Sequence, residues 1–353
     1  MNDFRKLLNM KFPTLMRNKS TKTQINLSQY NSLDFGIINL SPEKRELYQI
    51  LNREMPELCR GLPESARDRA IDFLMAYGRV TPGGPLDFFS RYYPPAWSVI
   101  YHIHGMESRE SDNSRINLHT ALGGQALAMF LHSYDDHLND GDIPASHLAL
   151  LVRSAAWMRF NNCIKHFADK TPESAAIAEN LINDYYAGMM HGSRIQTLEQ
   201  YCSLFRKQMA TWLVMPLCTA KSLETDDSVT GLIRKSYESF GVAWRLLDDV
   251  NDLEEDLTDQ RPAAPYWALP DKHRRLWDIK NKKERLEKIT SILIKEAALK
   301  KIIRKIDAEM KSAEKFAEQA GLHGLAAEYS ELRRPVALFL KNNLQESFAE
   351  TGH

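Results

Sequence analysis

The chain has 353 residues, with 46 Lys+Arg balanced by 46 Asp+Glu, so it carries no formal net charge at neutral pH. That balance excludes the basic footprint of a nucleic-acid binder and gives no field toward anionic lipid. Hydrophobic residues make up 43% of the chain and charged residues 26%, enough for a sizeable core beneath a polar surface, and no apolar run approaches the roughly 18–20 residues of a membrane span.

The opening stretch MNDFRKLLNMKFPTLMRNKS has neither a continuous apolar segment nor a small-residue cleavage site, so no secretory signal is expected. Residues 1–40 are polar and weakly periodic and read as an extension; residues 41–353 read as one catalytic-size domain. SPEK at 41–44 opens a helix, with Ser41 as N-cap and Pro42 in the first helical position. TPGGPLDFFSRYYPPAW (81–97) is the clearest break in the chain. TPES at 171–174 repeats the capping device, and Ile177, Leu181, Ile182, Tyr185 and Met189 follow at helical spacing. WLVMPLC (212–218) is the densest apolar patch, and RPAAPYWALP (261–270) is a second break. Leu286, Ile289 and Leu293, then Ile302, Ile303, Ile306 and Met310, mark further helices in a Lys/Arg-rich stretch (272–311) that reads as a solvated face. Strand signals are nearly absent, so the fold class is all-α, with ten or more helices. Cys59, Cys163, Cys202 and Cys218 are scattered without a C-x-x-C pair and read as core thiols, which suits a reducing, cytoplasmic location.

Two acidic stretches carry the chemistry. HSYDDHLNDGD (132–142) and LLDDVNDLEED (246–256) concentrate carboxylates with almost no countercharge, where a surface helix would interleave Lys or Arg. Positions i and i+4 of a helix lie about 40° apart. Asp136 and Asp140 therefore share a face, with Asp135 beside Asn139; Asp248 and Asp252 share another, with Asp249 at its shoulder and Asp256 one turn on. Both stretches end apolar helices, where uncompensated charge is costly. Hard cations such as Mg²⁺ favour carboxylate oxygens and water and bridge to substrate phosphates, so two such helices facing each other would hold ions that neutralise a diphosphate.

On these motifs the sequence resembles the trans-polyprenyl synthetase branch of the class I isoprenoid synthases. GVAWRLLDDVND (241–252) is similar to that family's second aspartate motif, and LHSYDDHLNDGD (131–142) to its first. FRKQMATW (205–212) resembles the helix carrying a diphosphate-binding Lys, here Lys207, and DQRPAAPYWALP (259–270) resembles a segment in which Arg261 stands for another. The resemblance spans roughly residues 80–340. It implies an all-α bundle around a deep apolar pocket, three Mg²⁺ ions (with Mn²⁺ able to substitute), an allylic prenyl diphosphate substrate and a homodimer. Its catalytic residues would be Asp135, Asp136, Asp248 and Asp249, with Asp140 and Asp252 completing the metal ligands, and Lys207, Arg245, Arg261 and Arg91 on the diphosphates. Phe130, beside Met129, would form the pocket floor; Tyr134, Trp212, Trp244 and Phe240 lie on or near the motif helices, where large aromatics serve either as core or as π-faces for a carbocation. His102, His132 and His191 lack ligand spacing and read as structural histidines.

The chain also departs from the family pattern. The motif that holds isopentenyl diphosphate is represented only by FSRYYPP (89–95), with Arg91 standing for its Lys, Pro94 in its Arg place and His119 as a possible helper; the arginines that follow the first motif are absent; HGSRIQ (191–196) replaces a Gln/Asp motif; and Arg245 replaces a Gln. Three readings remain: transfer of the prenyl cation to an acceptor, cyclisation of one prenyl diphosphate to a terpene, and a non-catalytic subunit of a heteromeric synthase. A buried second diphosphate needs paired cations, so weak or no extension with isopentenyl diphosphate is expected.

Overall fold

The computed structural model describes residue 30 and the segments 32–81, 83–106, 112–190 and 195–350; most of the N-terminal extension, and His191, lie outside them. Among the described residues, fifteen α-helices and one 3-10 turn make up the regular structure and no strand occurs. The all-α expectation is met. No helix among those residues is long and apolar enough to cross a membrane.

Local chemistry sets the helix starts. The Ser41 hydroxyl accepts from the Lys44 amide at 3.2 Å, opening α1 (Pro42–Arg60). Then come α2 (Glu64–Tyr77), α3 (Pro95–His104), α4 (Asp112–Asn139), α5 (His147–Ala168), α6 (Pro172–Met189), α7 (Leu198–Gln208), α8 (Ala210–Ser222) and α9 (Asp227–Asn251). The chain continues through α10 (Leu253–Asp259), α11 (Ala264–Ala268), α12 (Asp271–Arg274), a 3-10 turn (Arg275–Asp278), α13 (Lys282–Lys295), α14 (Ala298–Gln319) and α15 (His323–Glu350). The break expected at 261–270 thus contains a short helix, α11, with Pro265 in its first turn, where a missing N–H costs nothing.

The described residues divide into two compact units. The first comprises Asn39–Tyr185 and Ala210–Thr230. At its centre is α4, packed by α1, α3, α5 and α8. Residues 121–131 of α4 and 210–220 of α8 are all buried, as befits helices apolar on every side. Gly124 permits their close approach: a Cβ there would lie 2.4 Å from the Met215 sulfur.

The second unit comprises Tyr186–Met209 and the chain from Gly231 onward, with the segment ending at Ile38. Here α14 buries Ile302, Ile303, Ile306 and Met310 and packs along α15, while α11 rests on α7 and α14. The basic stretch 272–311 is not uniformly solvated. Lys288 and Glu284 pair in solvent, but Arg285 is 4% exposed. Its guanidinium donates to the carbonyls of Leu257, Thr258 and Ile279, satisfying carbonyls at the end of α10 that have no helical partner. The four cysteines are unpaired thiols. Burial pushes Cys59 up to about 11 and Cys163, Cys202 and Cys218 to about 12, so all are inert core groups at neutral pH.

Candidate active site

In the first unit the acid motif lies at the C-terminal end of α4. The helix does not end at Asp135 but runs to Asn139, and Gly141, at φ +77°, turns the chain away. The buried stripe Leu127–Leu131 continues at the same spacing into Asp135, which is 5% exposed. Arg153 of α5 meets its carboxylate with two parallel bonds, Nε to Oδ1 at 2.5 Å and Nη2 to Oδ2 at 2.8 Å, the geometry that suits a buried charge pair. The Tyr185 hydroxyl of α6 donates to Oδ2 at 2.8 Å. Asp136 and Asp140 are exposed, and the Asp140 amide donates to the Asp136 carbonyl at 2.9 Å.

Aromatic residues pack behind this motif. Phe130 is 5% exposed and lies against Tyr134, with ring centroids 4.9 Å apart, and edge-on to Tyr77 at 5.9 Å. Tyr134 donates to the Ala149 carbonyl at 3.1 Å. Met129 is fully buried, and its carbonyl accepts from the Tyr92 hydroxyl at 3.2 Å. Trp212, from α8, meets His132 edge-on at 5.0 Å and lies 5.9 Å from Tyr92. His102 contacts Lys44 at 3.3 Å. His119 lines a groove of about 450 Å³ with Glu54 and Arg159.

Arg91 stands in the turn before α3. Gly78 lets the Phe88 ring close on the end of α2, since a Cβ there would lie 2.6 Å from it, and the Asn52 side chain accepts the Phe88 amide at 2.6 Å. The pKa of Arg79 is drawn below its usual value by desolvation and then by the Arg91 charge. Sequence reasoning missed Arg79, which lies twelve positions before Arg91 in the chain.

In the second unit the buried member of the pair is Asp249, at 2% exposure. Arg245 reaches its Oδ1 at 3.0 Å; Oδ2 accepts from the Tyr201 hydroxyl at 2.7 Å and the Ala264 amide at 3.0 Å. Arg245 also donates to the Tyr201 oxygen at 2.9 Å. The guanidinium expected at a diphosphate is therefore bound first to Asp249. Asp248 is exposed, and Asp252 and Asp256 are half-buried. The motif is not one unbroken helix: α9 ends at Asn251 and α10 begins at Leu253. The Asp252 amide still donates to the Asp248 carbonyl and the Asp256 amide to the Asp252 carbonyl, both at 2.9 Å, so the three carboxylates keep the four-residue repeat. Lys207 is exposed in the last turn of α7. Arg261 is exposed, 3.6 Å from Asp259. Phe240 is fully buried against Tyr329 at 5.4 Å and Trp244 at 5.8 Å.

The electrostatics of both motifs call for cations. Each set of carboxylates is added to the C-terminal end of a long helix, already the negative end of its dipole. The last turn of α9 contains no basic residue. Burial, reinforced by Asp248, raises Asp252 to about 6; burial, reinforced by Asp249, raises Asp256 to about 7. Among the described residues no three His, Cys, Asp or Glu side chains converge into a metal cage. Mg²⁺ does not require one, because it keeps several waters and takes substrate phosphate oxygens as ligands. These hard oxygen donors fit it.

The same shifts fix a pH dependence in metal-free protein. An unfolded Asp ionises near 3.9, whereas Asp252 and Asp256 stay protonated in the fold to about 6 and 7. The folded state holds protons that the unfolded state has lost, so these groups lower stability as pH rises from about 4 toward 7, and the loss then levels off. Asp252→Asn/Asp256→Asn should flatten the decline in urea unfolding between pH 5 and 8 without added metal; an unchanged decline refutes the assignment.

Arg153, Tyr185, Tyr201 and Arg285 were also missed by sequence reasoning. Tyr185 had a signal, a place on the apolar stripe of α6, but nothing in that stripe names Asp135 as its partner.

No protein-family model and no curated protein sequence matches the chain. Solved structures do. A geranylgeranyl pyrophosphate synthase from Corynebacterium glutamicum matches at a TM-score of 0.65 and 11% identity, over 90% of this chain and 98% of that one. A decaprenyl diphosphate synthase from Rhodobacter capsulatus matches at 0.63 and 12%, over 83% and 95%. A polyprenyl synthase from Caulobacter crescentus, complexed with calcium and isoprenyl diphosphate, matches at 0.60 and 13%, over 90% and 100%. The chain therefore has the all-α fold of these prenyl diphosphate synthases, at 11–13% sequence identity.

Proposed function

We propose that the protein is a Mg²⁺-dependent enzyme that ionises an allylic prenyl diphosphate, releases diphosphate and transfers the prenyl cation to an acceptor. The observation that carries this reading is the placement of two aspartate motifs at the C-terminal ends of α4 and α9, in a fold shared with prenyl diphosphate synthases. Mg²⁺ would be held by carboxylates of the two motifs, and when bound it neutralises the diphosphate and makes it a better leaving group. Lys207 and Arg261 are exposed, the Arg261 amide donating to the Asp256 carbonyl at 2.9 Å, and both would bind diphosphate oxygens, with Arg245 holding Asp249. The aromatic faces of Trp212 and Tyr92, 5.9 Å apart, would stabilise the developing cation. Phe130 and Met129 would bound the prenyl tail, Phe130 being fixed by Tyr77 and Tyr134. A homodimer is part of the proposal.

Arg79 bears on the choice of acceptor. Desolvation and then the Arg91 charge lower its pKa, so a second guanidinium is available beside the one the sequence offered, and this favours transfer over cyclisation. A terpene cyclase is the second reading, favoured by the four-residue repeat of Asp248, Asp252 and Asp256.

The test is incubation with geranyl, farnesyl and geranylgeranyl diphosphates and Mg²⁺, each with and without isopentenyl diphosphate, read by mass spectrometry and by diphosphate release. Metal-dependent release is expected, with weak five-carbon extension that Arg79→Ala/Arg91→Ala abolishes. A hydrocarbon or alcohol from one substrate alone establishes cyclisation, and no release from any of the three sinks both readings.

A further inference from the structure

The two acid motifs read alike in sequence, yet the structure turns a different member of each Asp-Asp pair inward. In the second motif the inner residue is the second of the pair, Asp249; in the first motif it is the first, Asp135. The partners are of the same kind in both places. Each inner carboxylate meets an arginine, Arg153 or Arg245, and accepts from a tyrosine hydroxyl, Tyr185 or Tyr201.

Building on the metal-dependent reading above, we infer that Asp135 is a positioning residue and not a metal ligand, and that at the first motif Mg²⁺ is taken by Asp136 and Asp140. Both Asp135 oxygens are engaged, Oδ1 by Arg153 and Oδ2 by Arg153 and Tyr185. A cation at Asp135 would lie close to the guanidinium and would have to displace a bidentate pair in a buried setting, where breaking such a pair is strongly unfavourable. Asp136 and Asp140 are exposed and lie one turn apart, the Asp140 amide donating to the Asp136 carbonyl at 2.9 Å. They offer oxygens to an ion that retains its waters. Asp135 instead ties the last turn of α4 to α5 and α6, which fixes the direction in which Asp136 and Asp140 project. Carboxylates that orient metal ligands in this way act through the ligands they hold.

The experiment is Mn²⁺ titration of the full-length chain, with and without inorganic pyrophosphate, following free and bound Mn²⁺ by electron paramagnetic resonance alongside thermal unfolding. Asp136→Asn and Asp140→Asn should each bind fewer ions than the parent at unchanged melting temperature. Asp135→Asn should bind the parent number of ions, with affinity lowered by about tenfold, a reduced melting temperature and a broadened bound-Mn²⁺ spectrum as the ligands lose their fixed direction. Should Asp135→Asn fail to fold, Asp135→Leu/Arg153→Met replaces the buried pair by apolar groups and is expected to keep the ion count. Loss of ions in either Asp135 variant at an intact melting temperature would overturn the assignment. A parent chain that binds no Mn²⁺ under either condition overturns the metal-dependent reading itself, and the proposal with it.

Discussion

Asp248→Ala/Asp252→Ala is expected to lower turnover on an allylic prenyl diphosphate by about 10²-fold or more, the scale of losing charge stabilisation at a departing group. The two carboxylates lie one helical turn apart, joined through the Asp252 amide and the Asp248 carbonyl. Asp252 is half-buried and raised to about 6, by burial first and by Asp248 next. A divalent cation held by these carboxylates would offset both costs, and without one the diphosphate would have to leave against the negative end of α9. Chelation by EDTA should abolish activity in the parent chain, and added Mg²⁺ should restore the parent but not the double variant. Binding of a non-ionisable prenyl diphosphate analogue should weaken in parallel, because the proposed ions would join protein to phosphate. Full activity in EDTA, or in the double variant, removes the basis for the proposed reaction.

The second large effect falls on stability. Arg245→Ala leaves the 2%-exposed Asp249 carboxylate without its counter-charge, retaining only the Tyr201 hydroxyl and the Ala264 amide. Removing one member of a buried pair costs about 3–5 kcal/mol, and the lower end applies because the Arg245 side chain is 37% exposed. The penalty comes from the stranded charge, so neutralising Asp249 should relieve it. A double-mutant cycle with Asp249→Asn, read by urea unfolding at neutral pH, is expected to show Arg245→Ala as far less harmful in the Asn background. Additive effects would mean that the pair contributes no coupling. Since the Ala264 amide caps the same carboxylate, Asp249→Asn by itself should also loosen the packing of α11 on α7, seen as faster amide exchange at Ala264.

Much of the fold could be read from local pattern. Ser41 and Pro42 announced α1, and the spacing of Ile302, Ile303, Ile306 and Met310 announced α14. These signals are legible because capping and helical periodicity act between residues four or fewer positions apart. The acid motifs were legible for the same reason: the i, i+4 repeats of Asp136–Asp140 and Asp248–Asp252 are properties of the chain itself. What each aspartate does was not. Adjacent carboxylates in a D-D pair look equivalent in sequence, and they diverge only when one is turned inward onto a partner from another helix. Asp135 finds Arg153 at a separation of 18 residues and Tyr185 at 50; Asp249 finds Tyr201 at 48. Arg285 reads as one more charge in a basic run until the carbonyls at the end of α10 surround it. The sequence by itself determined the helices and where the carboxylates lie along them. The tertiary structure decided which carboxylates are anchored and which face outward, because that depends on cations and hydroxyls supplied by segments remote in the chain, and no periodicity within one helix encodes them.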